Sequence, residues 1–436
     1  MSRTSAHSDG SSLGGELFLR EIGEEPAALR ALLMTEGEVA GVAREIARRP
    51  RLVRLVGHGS SDNAASYAVY AFGLLPGWSA MRDSISLSVY YGADLPYSDS
   101  LVIALSQSGR IPDVVSYVEV ARRRGALTLA LTNDATSPLA ESSELVVQLR
   151  AGEEQAVAAT KSYTNELAAL VLLAAHAAGR GREVAEALCV VADLAEEALL
   201  GLAREVRRLA EPLAFVGRMV VAGRGVEYAT AREVALKLKE TCRVAAEALT
   251  ATDLAHGPVA ALDELFPLWA IASDDEMLPS VKTAVARARE SGALVVASGS
   301  AAEQIKGAAY VLSTPRVPLS VLSPLLSVLP GQLFASTLAQ AKGLDPDRPA
   351  GPTKVTLAPD AGLLVRPGGV DVQDVPARKH VIFVHPPSLT PVPPVRVSGV
   401  SIGAEAKADN SRCPLEPESG SEPLIVTHHE FDERAS

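Results

Sequence analysis

Two sets of residues could do chemistry. The first is Ser106-Gln107-Ser108-Gly109, which follows the apolar run "LVIAL" beginning at Leu101. Hydroxyls and an amide at the end of a buried strand, just where a helix begins, form a place for an anion. The helix start leaves backbone N–H groups free and presents its positive dipole end. "GHGSSDNAA" (57–65) repeats the device one strand earlier, with Gly59 making the turn and Ser60 and Ser61 donating. Together the loops read as a phosphate cup built without Lys or Arg. The second set is Glu233, Lys237 and Glu240, spaced i, i+4 and i+7 and therefore on one helix face. That spacing suits a solvated, salt-bridged face. It equally suits a catalytic face bordering a cleft, because the helix follows a Gly-x-Gly turn and is otherwise Ala- and Leu-rich. His256, in the turn "LAHGPV", could act as an acid or base near neutral pH or simply lie at the surface.

Parallel α/β elements must position such loops, since ligands of open parallel sheets bind beyond the carboxyl ends of the strands. The chain supplies them. "RLVRLVG" (51–57), "SLVIALS" (100–106) and "ALTLALT" (126–132) read as strands, and helical patterns follow the first two. Upstream, "FLREIGEEPAALRALL" reads as an amphipathic helix interrupted at Pro26, and "EVAGVAREIARR" as another. The strand pattern then returns. Gly223 and Gly225 stand 166 residues after Gly57 and Gly59, Ser273 stands 167 after Ser106, and the strand "ALVVASG" stands 167 after "ALTLALT". A nearly constant offset implies two copies of one α/β domain packed together. Where the first copy has "SQSG" the second has "ASDDE", and Asp274, Asp275 and Glu276 would repel a phosphate. The duplication therefore keeps one phosphate site per chain. The organisation expected is an N-terminal extension and helix (1–35), the two α/β domains (36–180 and 200–357) and a Pro-rich, largely disordered tail (358–436).

Composition narrows the classes. The chain has 436 residues, 47% of them hydrophobic and only 4% aromatic, so its cores are aliphatic. A formal charge of −11 argues against nonspecific nucleic-acid binding. Three separated cysteines, Cys189, Cys242 and Cys413, suggest neither a disulfide framework nor a zinc site and fit a reducing cytosol. No apolar signal core opens the sequence, and the most apolar stretch, 317–341, is interrupted by three prolines and reads as buried loop and helix rather than a membrane span.

"SQSG", "RAGEEQAVAATKSYTNEL" (150–167), "ALKLKE" and "HGP" resemble the sugar isomerase (SIS) domain family, over roughly 18–357. Its closest-looking members are the isomerase half of glucosamine-6-phosphate synthase and the type II glucosamine-6-phosphate deaminases. "GHGSSDNAA", "SQSGRIPD" and "DPDRPAGPTKVT" (345–356) look more like the deaminase. The resemblance implies two tandem SIS domains, each a parallel sheet flanked by helices in a flavodoxin-like three-layer sandwich. It implies that Ser60, Ser61, Ser106, Gln107 and Ser108 hold the sugar phosphate, and that Val157 sits near the amino group by its backbone. Glu240 would move a proton between C1 and C2, with Lys237 beside it to tune it. His256, from the neighbouring subunit of a homodimer with a shared active site, and Lys354 would assist ring opening. Ile111 departs from the hydroxyl usual at its position, which removes one phosphate hydrogen bond worth about 0.5–1.5 kcal/mol. The synthase also needs a glutaminase domain with an N-terminal nucleophilic cysteine, and no cysteine precedes Cys189. The expectation is a cytoplasmic enzyme converting glucosamine 6-phosphate to fructose 6-phosphate and ammonia. It would need no cofactor or metal, because the carbanion is delocalised into the adjacent imine, and it would engage no nucleic acid and no membrane. The alternatives are a synthase-like isomerase lacking a glutaminase domain, and a non-catalytic sugar-phosphate sensor.

Overall fold

In the computed structural model, residues 14–48 and 52–350 are described and belong to one compact unit. Three helices open the chain: α1 (Glu16–Gly23), α2 (Glu25–Leu33) and α3 (Glu36–Ala47). The break between α1 and α2 falls at Glu24, and Pro26 sits in the first turn of α2, where its missing N–H costs nothing.

The first sheet has five strands, β1 (Leu52–Val56), β2 (Ser79–Arg82), β3 (Ser100–Leu105), β4 (Leu127–Thr132) and β5 (Leu145–Gln148). They are all parallel in the order β2-β1-β3-β4-β5. Every residue of β3 and β4 is buried, the mark of a sheet covered on both faces, whereas edge strand β2 is largely exposed. The connecting and flanking helices are α4 (Ser60–Leu74), α5 (Ile85–Val89), α6 (Pro112–Arg123), α7 (Pro138–Ser142) and α8 (Lys161–Ala177). The 30-residue α9 (Gly181–Ala210) carries the chain to the second half.

The second sheet repeats the first. Its strands β6 (Arg218–Gly223), β7 (Ala245–Thr250), β8 (Leu268–Ile271), β9 (Val295–Gly299) and β10 (Tyr310–Ser313) are parallel in the order β10-β9-β8-β6-β7. Read from β7, this is the order of the first sheet, so the internal offset seen in the sequence is a duplication of topology. Around it lie α10 (Glu227–Cys242), α11 (Ala251–Ala255), α12 (Leu278–Glu290), α13 (Pro324–Ser327) and α14 (Leu329–Ala341).

The two halves share one core, which runs from Phe18 and Leu55 through Leu170 and Leu188 to Trp269 and Phe334. Helix α8 is buried over its first fifteen residues, because it is wrapped by α2, α3, α4 and α9. The stretch Ser320–Ala341 is long and apolar enough to cross a membrane by composition alone, but 94% of its apolar window is buried inside the fold. At the other end, Asp347 accepts hydrogen bonds from the backbone N–H groups of Gly15, Leu17 and Phe18 (2.7–3.3 Å). A carboxylate more than 300 residues away thus satisfies the free donors that open α1.

Candidate active site

The loops singled out in the sequence lie together at the carboxyl ends of neighbouring strands. Chain order reverses between β1 and β3, which opens a crevice there. Ser106 is buried, and its hydroxyl oxygen accepts from the Gly109 N–H at 3.1 Å; Ser108 Oγ accepts from the Arg110 N–H at 3.3 Å. Gly109 has φ +63°, and a Cβ there would lie 2.1 Å from Ser137 Oγ, so no side chain fits. Gln107 and Ser108 are half-buried at the lip of the loop.

Ser60 and Ser61 face inward instead. Ser60 Oγ donates to Glu233 Oε1 (2.8 Å) and accepts from Lys237 Nζ (3.2 Å), while Ser61 Oγ donates to Glu166 Oε1 (2.7 Å). Each hydroxyl proton is spent on a buried carboxylate, so the donors presented to the crevice come from the Ser106–Gly109 loop and the backbone around Gly59. Gly59 also borders a pocket of about 190 Å³ with Asp62, Asn63, Arg232 and Lys239.

The face of α10 is no solvated salt-bridge stripe. The side chains of Glu233 and Lys237 are completely buried, and Glu240 is only a quarter exposed. Lys237 Nζ lies 3.2 Å from Glu233 Oε1 and 2.8 Å from Glu240 Oε2, the latter as an ion pair rather than an aligned hydrogen bond. Burial alone would push the Lys237 ammonium down, but the two carboxylates outweigh it and hold it above its ordinary value. Burial pushes Glu233 up, against the pull of Lys237 and the hydrogen bonds from Asn63 and Ser60. Asn63 Nδ2 donates to Glu233 Oε2 at 2.8 Å, so this carboxylate is held by two residues of α4 across the joint between the halves. The outer face of Glu240 borders a cavity of about 270 Å³ with Lys239, Arg243, Asp345, Arg348 and Ala350.

The remaining expected residues make no side-chain contact with this array among the described residues. His256 is exposed at the end of α11, and its imidazole has no partner among the described residues. Val157 is half-buried in the loop before α8. Glu21 and Glu154 pin that loop, accepting from the N–H groups of Gln155, Ala156, Thr160 and Ser162. Lys354 lies outside the described residues, as does the 358–436 tail; Lys354 comes four positions after Ala350. Sequence reasoning does not single out Asn63, Glu166 or His58 as functional. Glu166 closes the polar opening of α8, just before its apolar run begins at Leu167. Its carboxyl is taken up to about 8, chiefly by burial, and its second oxygen has no hydrogen-bonding partner.

The second copy fills its own crevice from within. Glu227, in the first turn of α10, accepts from Ser273 and Ser327 at Oε1 and from Thr230 at Oε2. An internal carboxylate therefore occupies the helix start in the second half. Asp275 beside it is lifted to about 6 by burial and by the charges of Glu227 and Glu276.

Two parallel sheets of one topology, a serine loop at the switch point of the first and a buried carboxylate–ammonium array on a helix of the second define a duplicated parallel α/β class. The SIS domain family model matches residues 46–176 and 213–341, and the chain belongs to that family. It is similar to the glutamine–fructose-6-phosphate aminotransferase [isomerizing] of Thermococcus kodakarensis, with 33% identity over 341 residues, covering 76% of this chain and 56% of that protein. The enzyme of the same name from Methanothermobacter thermautotrophicus is 34% identical over 336 residues, with the same coverage. The chain thus spans about half the length of the curated relatives it matches. Among solved structures it is similar to the C-terminal domain of glucosamine-fructose-6-phosphate aminotransferase from Francisella tularensis. That likeness has a TM-score of 0.71 and 25% identity, over 79% of this chain and 100% of that one. A protein of Silicibacter pomeroyi assigned as a phosphosugar isomerase gives 0.68 and 33%, over 76% and 99%.

Proposed function

We propose that the protein is a sugar-phosphate isomerase that deaminates an amino-sugar 6-phosphate, converting glucosamine 6-phosphate and water to fructose 6-phosphate and ammonia. The observation that carries this reading is the Glu233–Lys237–Glu240 array, tied through Ser60 to the loop beside the phosphate cup. The phosphate anchors on the Ser106–Gly109 loop. His256, from a second copy of the chain, and Lys354 move protons to open the ring. Glu240 then removes the C2 proton and returns it at C1, passing through an enolamine. Water adds to the resulting C2 imine, and ammonia leaves. Lys237 stays charged between its two carboxylates and keeps Glu240 in place, while Glu233, locked by Ser60 and Asn63, positions Lys237 in turn.

The names of the relatives favour a second reading of the same site, in which it forms glucosamine 6-phosphate from fructose 6-phosphate and ammonia. Incubating the pure protein with glucosamine 6-phosphate and, separately, galactosamine 6-phosphate while measuring ammonia tests the first. Fructose 6-phosphate with ammonium or glutamine tests the second. Sugar-phosphate binding without turnover in either direction would overturn both and leave a sensor.

A further inference from the structure

His58 stands between Gly57 and Gly59 in the turn that leaves β1, with its imidazole half exposed. Asp113 lies in the first turn of α6, immediately beyond the serine loop that follows β3, and is buried. His58 Nε2 and Asp113 Oδ2 are 2.9 Å apart. The pair therefore spans the crevice between β1 and β3 at the point where strand order reverses, over the cup described above. Nearby guanidinium groups are committed elsewhere. Arg110 pairs with Asp134 (2.9 Å), and Arg82 and Arg232 both pair with Asp62. The charged groups that act on the imidazole are Asp113 on α6 and, more weakly, Asp62 at the start of α4.

The donor inventory of imidazole decides what this arrangement can do. A neutral ring that spends its single N–H on Asp113 keeps only a lone pair on its other nitrogen, which repels an anion. A protonated ring keeps its bond to Asp113 and has a second N–H free. Without that proton the Asp113 carboxylate, at the start of α6, would itself oppose a phosphate.

We propose that His58 is the cationic contact of the phosphate cup: it donates from Nε2 to Asp113 and from Nδ1 to a phosphate oxygen, so that affinity for a phosphorylated ligand falls as pH rises. This rests on the reading of the Ser106–Gly109 loop as the phosphate site. The hydrogen bond to Asp113, and then its charge, raise the His58 pKa above the ordinary histidine value despite partial burial, which keeps the ring charged further toward neutral pH.

Sulfate is the probe, because its charge does not change across the working range, whereas that of phosphate does. Titration calorimetry of the full chain is expected to show sulfate affinity falling about tenfold or more from about pH 6 to 9, the order of a charge-assisted hydrogen bond. His58→Gln is expected to bind sulfate weakly and without that pH dependence. Asp113→Asn, which removes the group that holds the ring charged, is expected to move the midpoint to lower pH. By reciprocity, saturating sulfate must raise the His58 pKa followed by NMR, by the logarithm of the same factor. Ser106→Asp separates the two readings. If it still binds sulfate normally, the cup itself is elsewhere. If it loses sulfate while His58→Gln keeps wild-type affinity and pH dependence, the cup stands and the role of His58 is overturned. Thermal melts of each variant confirm that the fold is intact, and His58→Asn serves if the glutamine variant does not fold.

Discussion

Glu233 and Glu240 flank the same ammonium, yet the protein treats them differently. Glu233 is fully buried and bound by Ser60, Asn63 and Lys237, so every oxygen is committed; Glu240 keeps an open side toward a cavity. Glu240 is therefore the carboxylate we propose as the base. Glu240→Gln preserves shape and removes basicity, so kcat is expected to fall by about 10²–10⁴-fold, with little change in sugar-phosphate binding. The loss of deuterium exchange from D₂O into C1 or C2, together with loss of ammonia release, checks this; retained turnover would hand the proton to another residue. A second residue-scale prediction concerns Glu25 on α2. Both its oxygens are buried without aligned partners, although Thr164 and Gln332 approach, and burial takes its carboxyl from 4.5 up to about 8. The folded state therefore holds a proton that the unfolded chain releases. Stability from this group is fully present below about pH 4.5 and lost as pH rises through 8. Glu25→Gln is expected to melt higher than wild type at about pH 9 and close to it at about pH 5, measured by calorimetry.

At the scale of elements, the site is a joint between α4 of the first half and α10 of the second. Ser60 and Asn63 reach Glu233, and Arg232 reaches back to Asp62 at 2.6 Å. These contacts compensate charge along the seam between the two helices, where Glu233 and Lys237 are completely buried. Lys237→Met leaves two carboxylates without their common cation and is expected to cost about 3–5 kcal/mol in urea unfolding. Adding Glu233→Gln, which removes one of the stranded charges, is expected to recover part of that loss. Wild-type stability in Lys237→Met would mean that the ammonium is not held as described. Elements also explain why two copies of one topology do different work. The loop after β3 in the first copy is Ser106-Gln107-Ser108-Gly109, whereas the loop after β8 in the second carries Asp274, Asp275 and Glu276, and its Ser273 is turned to Glu227 at the start of α10.

For the whole molecule, the exposed position of His256 matters most. It follows α11 with its side chain exposed and without a partner among the described residues. If a second copy supplies it, His256→Ala and Glu240→Gln are each inactive alone. Mixed under conditions where subunits exchange, they should regain activity, because each heterodimer carries one site with both lesions and one with neither. No rescue, once exchange is confirmed by mass, would place the whole site within one chain.

The sequence by itself determined the three inner strands of each sheet, their duplication and the polar loops, but not the edge strands β2, β5, β7 and β10. Each depends on local signals: period, turn glycines and hydroxyls beside a helix start. The apolar runs of β3 and β4 and the constant offset between the copies needed no tertiary knowledge. The spacing of Glu233, Lys237 and Glu240 was equally plain, but not which way that face looks. Tertiary structure decided that, because burial depends on what packs against a helix, and α4 comes from the other half of the duplication. The same cause turns the hydroxyls of Ser60 and Ser61 inward, since the acceptors they reach, Glu233 and Glu166, are 173 and 105 residues away. It also pairs His58 with Asp113 across a crevice that exists only once β1 and β3 lie side by side.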